Sequence, residues 1–522
     1  MNGLLRQFVF FFTLWGNVMP IYTSPVSDYR VLFDNLQRPA PDTLSLDYLK
    51  SLPKFRCIFH DGFDRLETIP RDKKTGELRK FFSIGNDRIL GKNSFQNTRA
   101  YSYMDLRLNN NDFAIGIKDN AYAYNKVDNN NKNRIFRLID TSRKDYGFLI
   151  AKSSNMNADA KVAFRVKDKR NYYYAQITAF TVSLFQVIND RQRRIFKKRI
   201  LNSKCLYGLI KGEEIYLYAD YRFIGKQPIS WFRDFTRCGL LFIGKEKSEI
   251  DDFAVNYLDS WIDNHVDEDF EKGRLDNINI GWYETEIGML NVNQTLTNHS
   301  NFSLRYQLDY YEYEEWEKHK IGNSRRTEIV PRTENAAPLD SWICSFDILF
   351  PGKDNGDEYY KKDFLDELFW QQHAPGNINT LSPNVALYLK NDTITFQALS
   401  RSILRHDRLH NKSHRDYQMN GEFAMLADSL TGNKGIREIE RGKWHRFTIY
   451  IKESYSENQL PRSIVYLDGK KVIDWFVPNM QNCGEQSTYL KIGIYKWPWA
   501  HKQKRVDVKQ RVLYYDNLMY LR

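Results

Sequence analysis

The sequence predicts an all-β protein built as two tandem β-sandwiches. Many segments alternate apolar and polar residues or are rich in β-branched and aromatic residues, as strands are. They include 161–168, 172–180, 213–220, 341–350, 384–391, 393–400 and 445–452. Segment 462–476 predicts a hairpin, because Asp468-Gly469 separates two such runs. Helical patterns are scarce, and the best candidate for a short helix is 363–370.

Length and composition agree with two large β domains. The chain has 522 residues, which is too long for one ordinary domain, and its 42% hydrophobic residues are enough for two cores. Aromatic residues reach 15%. Because Tyr and Trp join an apolar ring to a polar group, this composition suits half-buried strands and equally a cleft that binds sugars.

A coarse repeat divides the strands into two units. The first unit opens with FHDGFDR (59–65) and closes with IDDFAVNYL (250–258). The second opens near Trp261 and closes with LYYDNLMYL (513–521). In concanavalin-like jelly rolls the first and last strands lie side by side, and the domain closes on such a strand.

The repeat therefore predicts two sandwiches with a segment before them. We expect an accessory β-sandwich over 55–259, which resembles concanavalin-like and laminin-G-like domains, and a second β-jelly roll over 260–522. Residues 24–54 contain four prolines and show weak periodicity, which predicts a linker or an N-terminal strap.

The N-terminus has the pattern of a secretory signal. Within residues 1–23, Arg6 is the only charge and 8–19 form an apolar core that is too short for a membrane span. We expect export to the periplasm or the medium, and no membrane span in the mature protein; an N-terminal anchor is the alternative. The five cysteines form no CxxC pair, which argues against a zinc site, and the sequence does not indicate a disulfide pairing.

The charge balance indicates a polyanionic partner. The net charge is +12, and basic proteins meet nucleic acid, anionic membrane or anionic polysaccharide. The densest basic run is RQRRIFKKR (191–199), whose ordinary explanation is a solvated strand and turn. The signal pattern and the lack of a recognised nucleic-acid module argue against nucleic acid, so we expect an anionic polysaccharide and a monomeric protein.

Three segments of the second half can carry chemistry: 323–332, 369–377 and 489–499. Residues i and i+2 of a strand share a face. This spacing pairs Gln371 with His373 and Arg326 with Glu328, and it aligns Lys491, Gly493 and Tyr495. We expect Gly493 to leave open space between its two polar neighbours, while Ile492 and Ile494 face the apolar side.

At these residues the sequence resembles the polysaccharide lyases related to heparin lyase I. The resemblance rests on GKWHRFTIYIK (442–452), YLDGKKVID (466–474), YLKIGIYK (489–496) and YYDNL (514–518). The upstream segments 326–328, 341–351 and 371–373 follow in the order of that family. The resemblance covers about 260–522, the second half only.

The resemblance implies a β-jelly roll that cleaves uronic-acid polysaccharides, such as heparin, heparan sulfate or another polyuronate, by β-elimination. It implies that His373 and Tyr495 transfer protons and that Arg326, Lys491 and Gln371 bind and neutralise the substrate carboxylate. Trp497, with Trp499 on the same face, is expected to stack on sugars. No cofactor is required, although calcium assists some relatives.

Each of these residues also has an ordinary structural explanation. His373 fits a surface loop, Tyr495 a plain sandwich tyrosine, and Lys491 an edge-strand charge. Arg326 fits an ion pair with Glu328, and a register error of one residue would exchange it for Arg325. Trp497 can equally pack against the hairpin.

Two further alternatives concern function. The histidines of 406–415 are spaced by four, which fits a metal site on a helix, but the segment also reads as a basic loop beside a cleft. No P-loop or GxSxG motif is apparent, and nothing resembles the ExDxxE pattern of the related jelly-roll glucanases, which argues against hydrolysis. The main rival to a lyase is a non-catalytic glycan-binding protein on the same fold.

Overall fold

The computed structural model describes most of the chain from residue 28 to residue 522. The described residues are 28–61, 104–105, 113–118, 121–126, 134–152, 159–243, 248–261, 266–271, 278–279, 288–293, 298, 301–310, 325–331, 340–353, 363–373, 383–390, 392–399, 424–426, 439–454, 457–476, 478–480, 488–500, 506 and 508–522. The predicted signal segment 1–23, the histidine run 406–415 and Cys483 lie outside them.

The first half consists of strands that follow two short helices. The helices are α1 (Asp34–Gln37) and α2 (Leu46–Ser51). The strands are β1 (Lys54–Asp61), β2 (Met104–Asp105), β3 (Phe113–Lys118), β4 (Ala121–Lys126), β5 (Arg134–Asp140), β6 (Tyr146–Lys152), β7 (Ala160–Asp168), β8 (Asn171–Ile177), β9 (Thr181–Ile188), β10 (Arg191–Arg199), β11 (Cys205–Lys211), β12 (Glu214–Ala219), β13 (Arg222–Pro228), β14 (Arg237–Ile243) and β15 (Ser248–Asp259).

The second half continues in the same way. Its strands are β16 (Val266–Glu268), β17 (Ile278–Asn279), β18 (Gly288–Asn293), β19 (Ser303–Asp309), β20 (Arg326–Pro331), β21 (Ser341–Leu349), β22 (Glu367–His373), β23 (Val385–Lys390), β24 (Thr393–Leu399), β25 (Ala424–Leu426), β26 (Trp444–Lys452), β27 (Arg462–Leu467), β28 (Lys470–Trp475), β29 (Tyr489–Tyr495) and β30 (Gln510–Leu521). Short 3-10 turns cover Tyr29–Val31, Glu457–Gln459 and Trp497–Ala500.

These strands form four antiparallel sheets, two in each half. Sheet I has the order β13-β12-β11-β6-β15-β4-β3, with β1 also paired to β15, and sheet II has the order β10-β9-β8-β7-β14-β5-β2. Sheet III has the order β18-β19-β30-β21-β26-β27-β28, with β16 also paired to β30. Sheet IV has the order β17-β20-β29-β22-β23-β24-β25. The all-β prediction is confirmed.

The two halves share one topology. Adding fifteen to each strand number of sheets I and II reproduces sheets III and IV, including the first strand that lies against the last one. The coarse sequence repeat is therefore confirmed at the level of strand order. The boundary between domains near residue 260 stays a prediction.

The four sheets are stacked in layers. One core lies between sheets I and II, and includes Phe148, Phe164 and Leu240. A second core lies between sheets III and IV, and includes Trp342 and Trp370. A third cluster joins the outer face of sheet I to the outer face of sheet III. The two sandwiches consequently stand back to back, and the outer faces of sheets II and IV point away from each other.

The segment 28–53 forms a strap between the two sandwiches. Its apolar residues Phe33, Leu36, Leu49 and Leu52 are buried in the cluster shared by sheets I and III. Its polar backbone is held by Arg462, whose guanidinium donates to the carbonyl oxygens of Asn35 and Arg38, each at 2.6 Å.

Other contacts fix the strap and the two halves to each other. Asp474 accepts a 2.6 Å hydrogen bond from the Ala40 amide and pairs with Arg462 at 3.0 Å. The buried Asp340 accepts from the Cys57 amide at 2.9 Å and from Arg522 at 2.5 Å. Burial raises the pKa of the Asp340 carboxyl, although Arg522 opposes this shift.

The structure also corrects and confirms individual predictions. The predicted helix 363–370 is wrong, because its second part is strand β22. A register shift between Leu368 and Trp370 leaves Phe369 and Trp370 both buried, so consecutive apolar residues imitate a helical pattern. The Asp468-Gly469 hairpin is confirmed as β27–β28, with positive φ at both turn residues.

Removal of Arg462 tests whether the strap depends on its guanidinium. Because Arg462 is fully buried with Asp474, we expect Arg462→Met to lower the free energy of unfolding by about 3–5 kcal/mol. Denaturant titration gives this value, and limited proteolysis of 28–53 reports release of the strap. Arg233→Met is the control; its pair with Glu213 is exposed, so we expect less than about 1 kcal/mol. Equal losses in both variants would contradict the assignment.

Candidate active site

The predicted site residues lie on three adjoining strands of sheet IV. Strand β29 pairs with β20 on one side and with β22 on the other. Arg326 lies across from Tyr495, Gln371 across from Lys491, and His373 across from Tyr489. Antiparallel partners face the same side of a sheet, so this register gathers the polar residues on one face.

The alternation of β29 explains this face. Leu490, Ile492 and Ile494 are fully buried in the core between sheets III and IV. The residues between them therefore point to the outer face of sheet IV. These are Tyr489, Lys491, Gly493 and Tyr495. We call this surface, together with the outward residues of β20 and β22, the polar face.

Glu328 is the centre of the hydrogen-bonded part of the polar face. It is 3% exposed, and its Oε1 accepts a hydrogen bond from Gln371 Nε2. Its Oε2 lies 3.5 Å from Arg326 Nη1. The sequence pattern had placed Glu328 beside Arg326, but it gave no sign that Glu328 also holds Gln371 from the far side of β29.

Lys491 lies deep in the polar face. Its side chain is 1% exposed, and its Nζ lies 5.2 Å from the ring centroid of Tyr489. Burial lowers the pKa of the Lys491 ammonium to about 8; the Glu328 carboxylate opposes this shift and Arg326 adds to it. Lys491 is therefore a cation at neutral pH that can lose its charge under mildly basic conditions.

Tyr495 is packed between a cation and an indole. The Arg326 guanidinium carbon lies 4.1 Å from the Tyr495 ring centroid, and the Trp497 ring lies 5.9 Å away. Burial raises the pKa of the Tyr495 phenol; Arg326 opposes the shift and Glu328 adds to it. The cation beside Tyr495 is thus Arg326, and burial outweighs its effect on the pKa of the phenol.

His373 is paired with a tyrosine that the sequence interpretation missed. The Tyr489 hydroxyl lies 3.3 Å from His373 Nδ1, and the two rings are 5.3 Å apart. The signal was available, because Tyr489 lies two residues before Lys491 and so shares its face. A hydrogen bond at Nδ1 fixes the orientation of the imidazole ring.

The structure thus joins all six predicted residues along one face. Contacts link Trp497, Tyr495, Arg326, Glu328 and Gln371 in one series, and Lys491, Tyr489 and His373 in a second. The pairing of Gln371 with Lys491 joins the two series. His373 and Tyr495 lie at opposite ends, because Tyr489 and Tyr495 are six positions apart on β29.

Gly493 has a different role from the one expected. It does not leave open space, since a Cβ there would lie 2.1 Å from the Thr327 carbonyl oxygen and 2.7 Å from Glu328 Cα. Its φ of 141° also disfavours any other residue. Glycine is required here because strand β20 approaches β29 too closely for a side chain.

The structure shows where the two tryptophans after β29 lie and which of the two arginines at the start of β20 faces Tyr495. Trp497 lies beside Tyr495 and makes an edge contact with Tyr388 at 5.6 Å. The expectation that Trp499 shares its face is wrong, because the chain enters a 3-10 turn and Trp499 is 2% exposed in the core. Arg326, not Arg325, faces Tyr495; the buried Arg325 donates to the Trp499 carbonyl at 3.3 Å.

The first half has no equivalent polar face among its described residues. The strands that correspond to β20, β22, β23 and β29 are β5, β7, β8 and β14. Their outward residues form an apolar cluster that includes Phe136, Leu138, Ala163, Tyr172 and Leu241. The same topology therefore carries buried polar and charged residues on the outer face of one half and buried apolar residues on that of the other.

Two further features concern metal binding and membranes. Within the described residues, no group of three or more His, Cys, Asp or Glu side chains is arranged to hold a metal ion. None of the helices in the described segments has both the length and the apolar character to cross a bilayer.

Comparison with known proteins identifies the class of the second half. Residues 270–519 match the family model described as polysaccharide lyase. This region contains sheet IV, the whole polar face, and sheet III except for β16 and the last residues of β30. The C-terminal half thus matches a polysaccharide lyase domain, which supports an enzyme of that class. No curated protein matches the chain.

Solved structures of lyases resemble parts of the chain at low identity. An endo-β-1,4-glucuronan lyase from the fungus Trichoderma reesei is 12% identical, over 50% of this chain and 93% of its own, with a TM-score of 0.37. The alginate lyase AlyC3 is 13% identical, over 42% and 74%, with a TM-score of 0.28. A marine alginate lyase from Aplysia kurodai is 10% identical, over 44% and 86%, with a TM-score of 0.28.

A substitution at Gly493 tests the close approach of β20. Gly493→Ala combines a strained φ with a backbone clash, so we expect a loss of about 2–6 kcal/mol in stability. Gly469→Ala is the matched control; φ is +76° there but no atom lies within 4 Å, so about 1 kcal/mol is expected. Thermal unfolding compares the two. Similar shifts in Tm for the two variants would show that backbone strain alone, without the clash with β20, explains the need for glycine at position 493.

Proposed function

We propose that the polar face of sheet IV cleaves a uronic-acid polysaccharide by β-elimination. The observation that carries this proposal is that five polar residues lie on one face of three adjoining strands, β20, β29 and β22. They are Tyr495, Arg326, Gln371, Lys491 and His373. The lyase domain supports the class of reaction. The substrate is an anionic polymer, in agreement with the net charge of +12.

The reaction requires three contributions. A base removes the proton at C5, beside the uronate carboxylate; cations or hydrogen-bond donors stabilise the enolate-like intermediate; and an acid protonates the departing O4 oxygen. The electron pair of the C5–H bond forms the new C4=C5 double bond as the C4–O4 bond breaks.

Tyr495 is assigned as the acid. Its raised pKa keeps the phenol protonated at neutral pH, so it can give a proton to O4 but is a poor base. The Arg326 guanidinium against its ring stabilises the phenolate that forms on proton transfer.

His373 is assigned as the base. Histidine titrates near neutrality and can accept a proton. If Nδ1 donates to the Tyr489 oxygen, Nε2 carries a lone pair that can accept the C5 proton. Tyr489 is therefore a positioning residue that orients the imidazole ring.

The uronate carboxylate of the substrate is bound between His373 and Tyr495, in the middle of the polar face. Lys491 supplies a desolvated positive charge, which interacts strongly with an anion in a low-dielectric site. Gln371 has one Nε2 hydrogen engaged by Glu328 and a second available for the carboxylate. Heparin, heparan sulfate or another polyuronate satisfies these requirements, and export would bring the enzyme to such a polymer.

One observation favours a second candidate, a protein that binds glycan without cleaving it. Gln371 and Lys491 are each only 1% exposed, so a sugar must displace the groups that cover them. Incubation with heparin, heparan sulfate, alginate and glucuronan, followed by ultraviolet absorbance of the C4=C5 double bond, separates the two. Binding without any rise in absorbance would favour the second candidate.

Loss of one hydroxyl group tests the role of Tyr495. We expect Tyr495→Phe to lower kcat by about 10²–10⁴-fold while polymer binding is kept, since the phenol acts in the proton transfer. Tyr489→Phe removes one hydroxyl from the same strand face and should have a smaller effect on kcat, because that group only orients His373. Initial rates and equilibrium binding measure both. Normal turnover by Tyr495→Phe would remove this residue from the mechanism.

The pH dependence tests Lys491. Its pKa is lowered to about 8, so the ammonium is charged below that pH and neutral above it. Because kcat/KM reports the free enzyme, we expect it to fall as pH rises through about 8. Lys491→Arg stays charged and should remove this fall, whatever its absolute rate. An identical fall in both proteins would assign the titration to another group.

A further inference from the structure

The basic run 191–199 forms an exposed edge strand of sheet II. Strand β10 pairs with β9 on one side only, and its residues 191–194 and 197–199 are exposed. Six of its nine residues are cations: Arg191, Arg193, Arg194, Lys197, Lys198 and Arg199. The sequence expectation of a solvated strand is confirmed, but the charge density of this strand calls for a further explanation.

These six cations lack carboxylate partners among the described residues. Nearby, Arg170 pairs with Asp190 at 3.3 Å, whereas no residue of β10 takes part in such a pair. Like charges two residues apart on one strand lie about 6.7 Å from each other, and such neighbours repel. Charged side chains on an edge strand protect it from pairing with another chain. Six unpaired cations exceed that need.

The surroundings of β10 combine charge with apolar surface. Arg194 lies across from the half-buried Phe185, whose ring packs against the buried Tyr174. At the other end of the strand, Arg199 pairs with Thr181, directly after Phe180, which is 53% exposed. Aromatic rings beside cations suit a ligand that has sugar rings and regularly spaced anionic groups.

We infer that β10 is a binding site for an anionic polysaccharide, separate from the polar face. The ligand class follows from the lyase domain in the same chain and from the row of unpaired cations. Because sheets II and IV are the outer layers of the stack, a polymer held on β10 lies on the opposite side of the molecule from Tyr495. The site therefore anchors the enzyme to its polymer and takes no part in proton transfer.

The experiment compares two variants with the same loss of charge. Arg194→Gln, Lys197→Gln and Arg199→Gln remove three cations from β10. The control, Lys144→Gln, Lys211→Gln and Arg233→Gln, removes three exposed cations that already pair with Asp234, Asp145 and Glu213. Both sets are made in the full chain carrying Tyr495→Phe, so that the polymer is not consumed. Binding of fluorescent polyglucuronate is measured from low to moderate salt.

We expect the β10 variant to bind polyglucuronate at least tenfold more weakly at low salt, and log K to fall less steeply with log salt because three cations no longer displace counterions from the polymer. The control should bind within about twofold of the parent. With Tyr495 restored, turnover of short oligouronates should be unchanged by the β10 substitutions. Equal affinity of the two variants would overturn the proposal.

Two other outcomes are informative about the ligand and about the catalytic assignment. Tighter binding of a DNA duplex than of polyglucuronate at the same salt would overturn the assignment to polysaccharide. Absence of turnover on every polyuronate would count against the proposed function, but it would leave the binding result standing, because binding is measured at equilibrium in a variant designed not to cleave.

Discussion

The polar face depends on how closely β20 approaches β29. Gly493 permits this approach, and the resulting register sets Glu328 across from the glycine and Arg326 across from Tyr495. From that position the Glu328 carboxylate reaches past β29 to Gln371 on the next strand. A side chain at position 493 would hold the two strands apart and separate the acidic centre of the face from the residues it aligns.

Buried charge distinguishes the two halves more clearly than their folds do. Strand for strand they share one topology, yet one outer face holds Glu328 and Lys491 and its counterpart holds Phe136 and Leu138. Burying a charged group is costly unless opposite charges and hydrogen bonds compensate it. The first half shows that an apolar face is compatible with this fold, so the buried charges of the second half are not required for folding. They therefore indicate a functional site.

Much of this arrangement could be predicted from the sequence, because strand alternation determines which residues share a face. The row Lys491, Gly493 and Tyr495 and the pair Gln371 and His373 followed from spacing alone. The contact of Tyr489 with His373 requires the pairing of β22 with β29, which no local pattern contains. The helix error at 363–370 and the misplaced Trp499 have a common cause: a bulge and a 3-10 turn interrupt the period of two on which the predictions relied.

The position of the strap bears on how the protein is made. Its backbone carbonyls at Asn35 and Arg38 bond to Arg462, a residue 427 and 424 positions further along the chain. A ribosome releases the N-terminal segment long before it completes that arginine. Phe33 of the strap can pack on Tyr207 and Tyr218 of sheet I once the first half has been synthesised. The side of the strap that contacts sheet III gains its partners only when nearly the whole polypeptide is complete.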